Sequence, residues 1–114
     1  MSGDEVRGLA ALLEDEYAHA ILIRTSTREM SAPELSDACD ASVSTIYRRI
    51  ERLQEYDLLS ERLQLDKDGH HYKTYRARLD RIEIELNDGE FSVDVTYRAE
   101  DPADRFTGLF EGLR

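Results

Sequence analysis

The residues most able to do chemistry lie between Ser42 and Leu53. Ser42, Ser44 and Thr45 bring hydroxyls, and Arg48, Arg49 and Arg52 bring guanidinium groups. If this stretch is a helix, Ile46, Ile50 and Leu53 fall at i, i+4 and i+7 and share an inward face. The opposite side then presents Ser44, Thr45, Arg48 and Arg52, flanked by Val43 and Tyr47, with Arg49 at an edge. Short hydroxyl residues at a helix start allow close approach to a partner, and they bond either base edges or phosphate oxygens. An arginine one turn further in can bond a guanine through two parallel N–H groups. Arg48 has that position. Arg49 and Arg52 are expected to position the helix on a phosphate backbone. From Val43 to Leu53 three arginines stand against one acid, Glu51, in a chain with 25 acidic and 15 basic residues.

A second basic group follows. Lys67, His70, His71, Lys73 and Arg76 surround the turn Asp66-Lys67-Asp68-Gly69, and both lysines of the chain are among them. Such a turn suits the sugar–phosphate backbone. His70 and His71 do not read as a metal pair, because adjacent strand residues point to opposite faces; no metal site is expected. Cys39 is the one cysteine. It excludes an internal disulfide and a cysteine-cluster zinc site. It is a possible redox position, although free cysteine more often packs as a small apolar group. There is no glycine-rich phosphate loop and no nucleophile elbow. No enzyme activity, cofactor or small-molecule ligand is therefore expected.

Several elements must position these residues. Val6, Leu9, Ala10 and Leu13 have helical spacing. Asp15 can cap a second helix carrying Ala18, Ile21 and Leu22, which the Thr25-Ser26-Thr27 cluster should end near Arg24. Ser31 and Glu34 form a capping box with Pro33 in the first turn, opening a short helix from Ala32 to about Cys39. Asp40-Ala41 is a tight connection, and Ser42 caps a longer helix from Val43 to about Tyr56. From Leu58 the period changes to two. Leu59, Glu61, Leu63 and Leu65 share one strand face, and a return strand runs over Tyr72–Leu79. A second hairpin pairs Ile82, Ile84 and Leu86 with Phe91, Val93, Val95 and Tyr97 across Asn87-Asp88-Gly89. Asp101 and Pro102 can start a last helix with Phe106, Leu109, Phe110 and Leu113 as its apolar stripe.

At 114 residues and 40% apolar content, one core is possible and two are not. No segment has the length and apolarity of a membrane span, and the acidic start, Met1-Ser2-Gly3-Asp4-Glu5, lacks a signal-type apolar run. A cytoplasmic, membrane-free protein is expected. The net charge of −10 argues against nucleic acid if read alone. Excess Asp and Glu with almost no lysine is, however, also the composition of haloarchaeal proteins. In molar salt the Debye length is about 3 Å, so surface repulsion is largely screened.

The order helix, helix, short helix, tight turn, longer helix, hairpin is that of a winged helix-turn-helix. The segment Ala32–Leu53, above all Ala41-Ser42-Val43-Ser44-Thr45-Ile46-Tyr47-Arg48-Arg49-Ile50-Glu51-Arg52-Leu53, resembles the helix-turn-helix of ArsR-like regulators of the haloarchaeal type. The likeness extends over roughly residues 10–80. It implies an α+β winged helix-turn-helix over residues 1–80. Residues 81–114 then form a hairpin and terminal helix in the same domain. It also implies a homodimer bound to double-stranded DNA as a transcription regulator. Metal sensing does not carry over, because Cys39 stands alone where metal-sensing members have a cysteine motif. Leu9 and Leu13, together with Phe106, Leu109, Phe110 and Leu113, are the expected dimer contacts. The alternative is a winged-helix protein-interaction module without a DNA site.

Overall fold

The structure is a computed structural model and describes residues 3–99. The terminal stripe Phe106, Leu109, Phe110 and Leu113 lies outside the described residues. Four helices come first: α1 (Gly3–Glu14), α2 (Glu16–Thr27), α3 (Ala32–Cys39) and α4 (Val43–Glu55). A two-residue strand, β1 (Met30–Ser31), precedes α3, and two hairpins follow α4. They are β2 (Leu59–Leu65) with β3 (His71–Ala77), and β4 (Leu79–Asn87) with β5 (Glu90–Tyr97). This is an α+β winged helix with an added hairpin.

Asp15 alone separates α1 from α2. Its carboxylate accepts hydrogen bonds from the Tyr17 and Ala18 amides at 3.1 and 2.9 Å, as an N-cap should. The second helix runs three residues past the expected stop near Arg24. The Ser/Thr cluster does not break it, because each hydroxyl bonds back to the preceding turn. Thr25 Oγ1 donates to the Ile21 carbonyl, Ser26 Oγ to Ile23 and Thr27 Oγ1 to Arg24. The Ser31/Glu34 capping box is present on α3. Asp40, in the left-handed region at φ 51°, ends that helix, and Ser42 caps the next by accepting from the Thr45 amide.

β1, β3 and β2 form one antiparallel sheet in that order, with Met30 opposite Tyr75 and Leu59 opposite Ala77. β4 and β5 form a separate two-stranded sheet. The return strand stops at Ala77 rather than Leu79. Arg78 turns the chain there, donating its amide to the Leu58 carbonyl, and Leu79 starts the next strand. β1 carries no periodic signal, since two residues are too few to show a period.

The core joins Leu9 and Leu12 of α1, Ile21 of α2, Leu35 of α3 and Ile46, Ile50 and Leu53 of α4 to Leu58, Leu59 and Tyr75. Val93, 2% exposed, brings the second hairpin into the same core, where α1 lies against β5. Two expectations about α1 change. Leu12, not Ala10, completes the inward stripe, and Ala10 faces solvent. Leu9 is 1% exposed within its own chain, so it has no surface left to offer a second copy. On β2, Leu59 is buried but Leu63 and Leu65 are each 61% exposed, since that strand runs out beyond the helices.

Candidate nucleic-acid interface

The sequence places helix α4 by two independent means. Its apolar stripe, Ile46, Ile50 and Leu53, is buried to 2% exposure or less and turns the opposite side outward. Its start is fixed by a hydroxyl cluster. Ser42 Oγ accepts from the Thr45 amide at 3.1 Å, donates to Thr45 Oγ1 at 2.9 Å and lies 3.2 Å from Ser44 Oγ. Ser42 is therefore committed to the cap. Ser44 is exposed and Thr45 half-buried, and the Thr45 hydroxyl keeps its own proton to donate outward. Val43 and Tyr47 are 40% and 46% exposed and border this surface.

The three arginines are not equivalent. Arg48 and Arg52 are exposed, and among the described residues neither takes an ion pair. Arg49 turns the other way. Its Nε donates to Asp15 Oδ2 at 2.9 Å, and its guanidinium stands 5.7 Å from the centre of the Tyr17 ring. Both side chains of the ion pair are about three-quarters covered. The hydrogen bond from Arg49 holds the Asp15 carboxyl below the usual carboxylate range, helped by the Ala18 and Tyr17 amides and opposed by partial burial. The same bond raises the Arg49 guanidinium. Arg49, expected at the phosphate backbone, is therefore already engaged within the protein, by Asp15 and Tyr17.

The β2–β3 hairpin is the wing. At its tip Asp66 Oδ1 accepts from the Asp68 and His70 amides, both at 2.8 Å, and Gly69 takes φ 84°, a left-handed conformation that glycine adopts without strain. Lys67, His70, His71, Lys73 and Arg76 are all exposed. Lys73 is paired with Glu61 at 3.2 Å, and His70 Nδ1 lies 3.5 Å from Asp66. That leaves Lys67 and Arg76 as cations of this group with no ion pair among the described residues. Asp66, Asp68 and His70 bring possible ligand atoms within 4.8 Å of one another. His71 is not part of the trio. The hydrogen bonds and ion pair of the turn account for the arrangement.

A cleft of roughly 470 Å³ connects helix and wing. Ser31 and Pro33 line it from the start of α3, Tyr47 from α4, and His71, Tyr72 and Lys73 from β3. Tyr72, 44% exposed, carries no local sequence signal for this cleft, which it lines together with Tyr47. The missing signal was β1: by pairing Ser31 with Thr74 it brings the start of α3 beside the wing. The cleft is open, and of the side chains lining it Lys73 is already paired with Glu61.

Residues 13–62 match the family model of a helix-turn-helix domain. The match supports a helix-turn-helix domain in this part of the chain. The match runs from the end of α1 into β2 and includes the whole of α3 and α4. It supports a DNA-binding regulator with double-stranded DNA as partner. No curated protein sequence matches the chain. Among the described residues no helix is long and apolar enough to cross a membrane.

Cys39 is half-buried at the inner end of α3. Burial pushes its thiol up, and the neighbouring Arg24 only partly opposes this. A raised thiol is a slow nucleophile and a poor redox sensor.

Proposed function

We propose that this protein is a sequence-specific transcription regulator of the ArsR-like type, acting as a homodimer in the salt-rich cytoplasm of a haloarchaeon. One observation carries the DNA reading. The outward side of α4 holds two free guanidinium groups and two hydroxyls, while the third arginine is turned inward. Arg48, with Ser44, Thr45 and Tyr47, reads base edges in the major groove. Arg52 contacts phosphate, and the wing, through Lys67 and Arg76, holds the backbone of the same duplex.

Homodimer formation draws support from the β4–β5 hairpin. Its apolar face is covered at Val93 but open toward the tip, where Ile84, Leu86 and Phe91 are 51%, 61% and 51% exposed. The half-buried Leu13 adds further apolar surface. A two-fold pair would set two copies of α4 about one DNA turn apart.

Selection of duplexes from a random pool by the protein in molar KCl tests the reading. Enrichment of a two-fold motif is expected. Arg48→Ala should lower affinity for that motif by about tenfold or more, the loss of one bidentate base contact, and relax the preference at one base pair. No enriched motif with the wild-type protein would refute the proposal.

A further inference from the structure

Arg49 sits in the recognition helix, yet its guanidinium is bonded to the cap of another helix. Asp15 is the single residue between α1 and α2, and it caps α2 while accepting from Arg49 at 2.9 Å. The ring of Tyr17, the second residue of α2, has its centre 5.7 Å from the same guanidinium. One side chain of α4 is thus tied to the junction of two scaffold helices by two directional contacts.

We propose that Arg49 is a positioning residue: by binding Asp15 and Tyr17 it fixes the roll of α4 about its axis, and so the aim of Arg48 and Arg52 at DNA. The proposal rests on the DNA reading above. The apolar stripe of α4 holds the helix against the core, but apolar attraction is non-directional and tolerates small rotations. Neighbouring side chains on a helix stand about 100° apart, and their tips lie about 5–6 Å from the axis. A roll of about 20° therefore moves a side-chain tip by about 2 Å, enough to break a hydrogen bond to a base edge. An ion pair anchored at a helix cap resists that roll.

The charges allow a sharp test. If Arg49 touched phosphate, Arg49→Lys would keep the cation and bind almost as well. If it acts through Asp15 and Tyr17, lysine loses the Nε geometry and the flat face that stacks, and binding falls. Asp15→Asn separates the readings further. It removes a negative charge, so simple electrostatics strengthens DNA binding, whereas loss of position weakens recognition. Asparagine still caps α2, which keeps the fold.

The probes are a duplex selected by the wild-type protein and a scrambled duplex of the same length. Asp15→Asn and Arg49→Lys should each bind the selected duplex about tenfold more weakly, the scale of one misplaced base contact. Binding to the scrambled duplex should be unchanged or stronger, and the dependence of log affinity on log salt should keep its slope. Wild-type affinity in Arg49→Lys, or a slope about 0.9 shallower in Arg49→Met, would assign Arg49 to phosphate and overturn the proposal. An unchanged ratio of selected to scrambled binding in Asp15→Asn would overturn it as well. If the wild-type protein selects no duplex, the DNA reading fails by itself. Amide exchange in the free protein then judges the tie: Asp15→Asn should speed exchange in α4 more than in α3, and equal rates would refute it.

Discussion

Asp15 carries two jobs, and substitution can separate them. Asp15→Ala removes the cap of α2 and the partner of Arg49 together; Asp15→Asn removes only the charge. Loss of an N-cap costs about 1 kcal/mol. A hydrogen bond to a charged group contributes about 1.5–3 kcal/mol when well covered. With the two side chains 26% and 23% exposed, the lower end of that range applies, about 1.5 kcal/mol. Asp15→Asn should thus destabilise by about 1–1.5 kcal/mol and Asp15→Ala by about 2–3 kcal/mol. For a domain of this size each kcal/mol moves Tm by about 4 °C. Urea unfolding followed by far-UV circular dichroism, in molar KCl, reads both. The pH profile gives a second check. The folded carboxyl is held below its ordinary value. Its contribution is therefore complete above about pH 4 and is lost as pH falls through the depressed folded value. The difference between wild type and Asp15→Asn should shrink on acidification. Wild-type stability in Asp15→Asn would refute the ion-pair reasoning, and equal losses in the two variants would refute the cap reasoning.

Other outcomes follow from single contacts. Alanine at a helical glycine normally stabilises by about 1 kcal/mol, but a Cβ on Gly8 would collide with the Tyr56 hydroxyl. Gly8→Ala should therefore stabilise by less than this, because the Tyr56 ring must shift, and in a Tyr56→Phe background, where the nearest remaining ring atom is 3.6 Å away, it should give the full gain; thermal unfolding of the four proteins measures the difference. Phe91→Ser with Leu86→Ser, on the open end of the second hairpin, should lower the mass measured by light scattering from dimer toward monomer without changing helix content. Cys39→Ser should leave DNA affinity under mild peroxide unchanged relative to wild type, since the thiol is held in its slow, protonated form.

Helix positions were legible in the residues because their signals are local. The Ser31/Glu34 box and the Asp15 and Ser42 caps each satisfy amides within three residues, so a short window contains the cause. The outward side of α4 was legible for the same reason: Ile46, Ile50 and Leu53 alone decide which way it turns. The fate of Arg49 was not legible. At the edge of the helix its direction depends on Asp15, 34 positions away in the chain. Leu9 and Leu63 show the same limit from opposite sides. Both are apolar and both fit their period, yet one lies in the core and the other in water. Periodicity names a face; only the packing of other elements says whether anything covers it. The helix–wing cleft depends on β1, whose two residues act through pairing with β3 and carry no pattern of their own.

The remaining difficulty is how a chain of net charge −10 approaches a polyanion. The answer turns on range. At about 0.01 M salt the Debye length is about 30 Å, so every carboxylate on the protein is felt by the duplex. In molar salt it is about 3 Å, and only groups in contact matter. Under those conditions the free cations of α4 and the wing act locally, while the acids of the β4–β5 hairpin, such as Glu83, Glu85 and Asp94, are screened. In the proposed dimer, with Arg48 on a base, Arg52, Lys67 and Arg76 would leave three phosphate contacts per protomer, or six in all. Counterion release for six contacts gives a slope of log affinity against log salt of about −5. Weakening of the long-range repulsion by salt acts in the opposite direction, so the measured slope should be shallower than that. Titrating fluorescent duplex from about 0.2 to 2 M KCl measures it. A slope of about −6 or steeper would require phosphate contacts beyond the cations left free on this surface, and would refute the division of labour among the arginines.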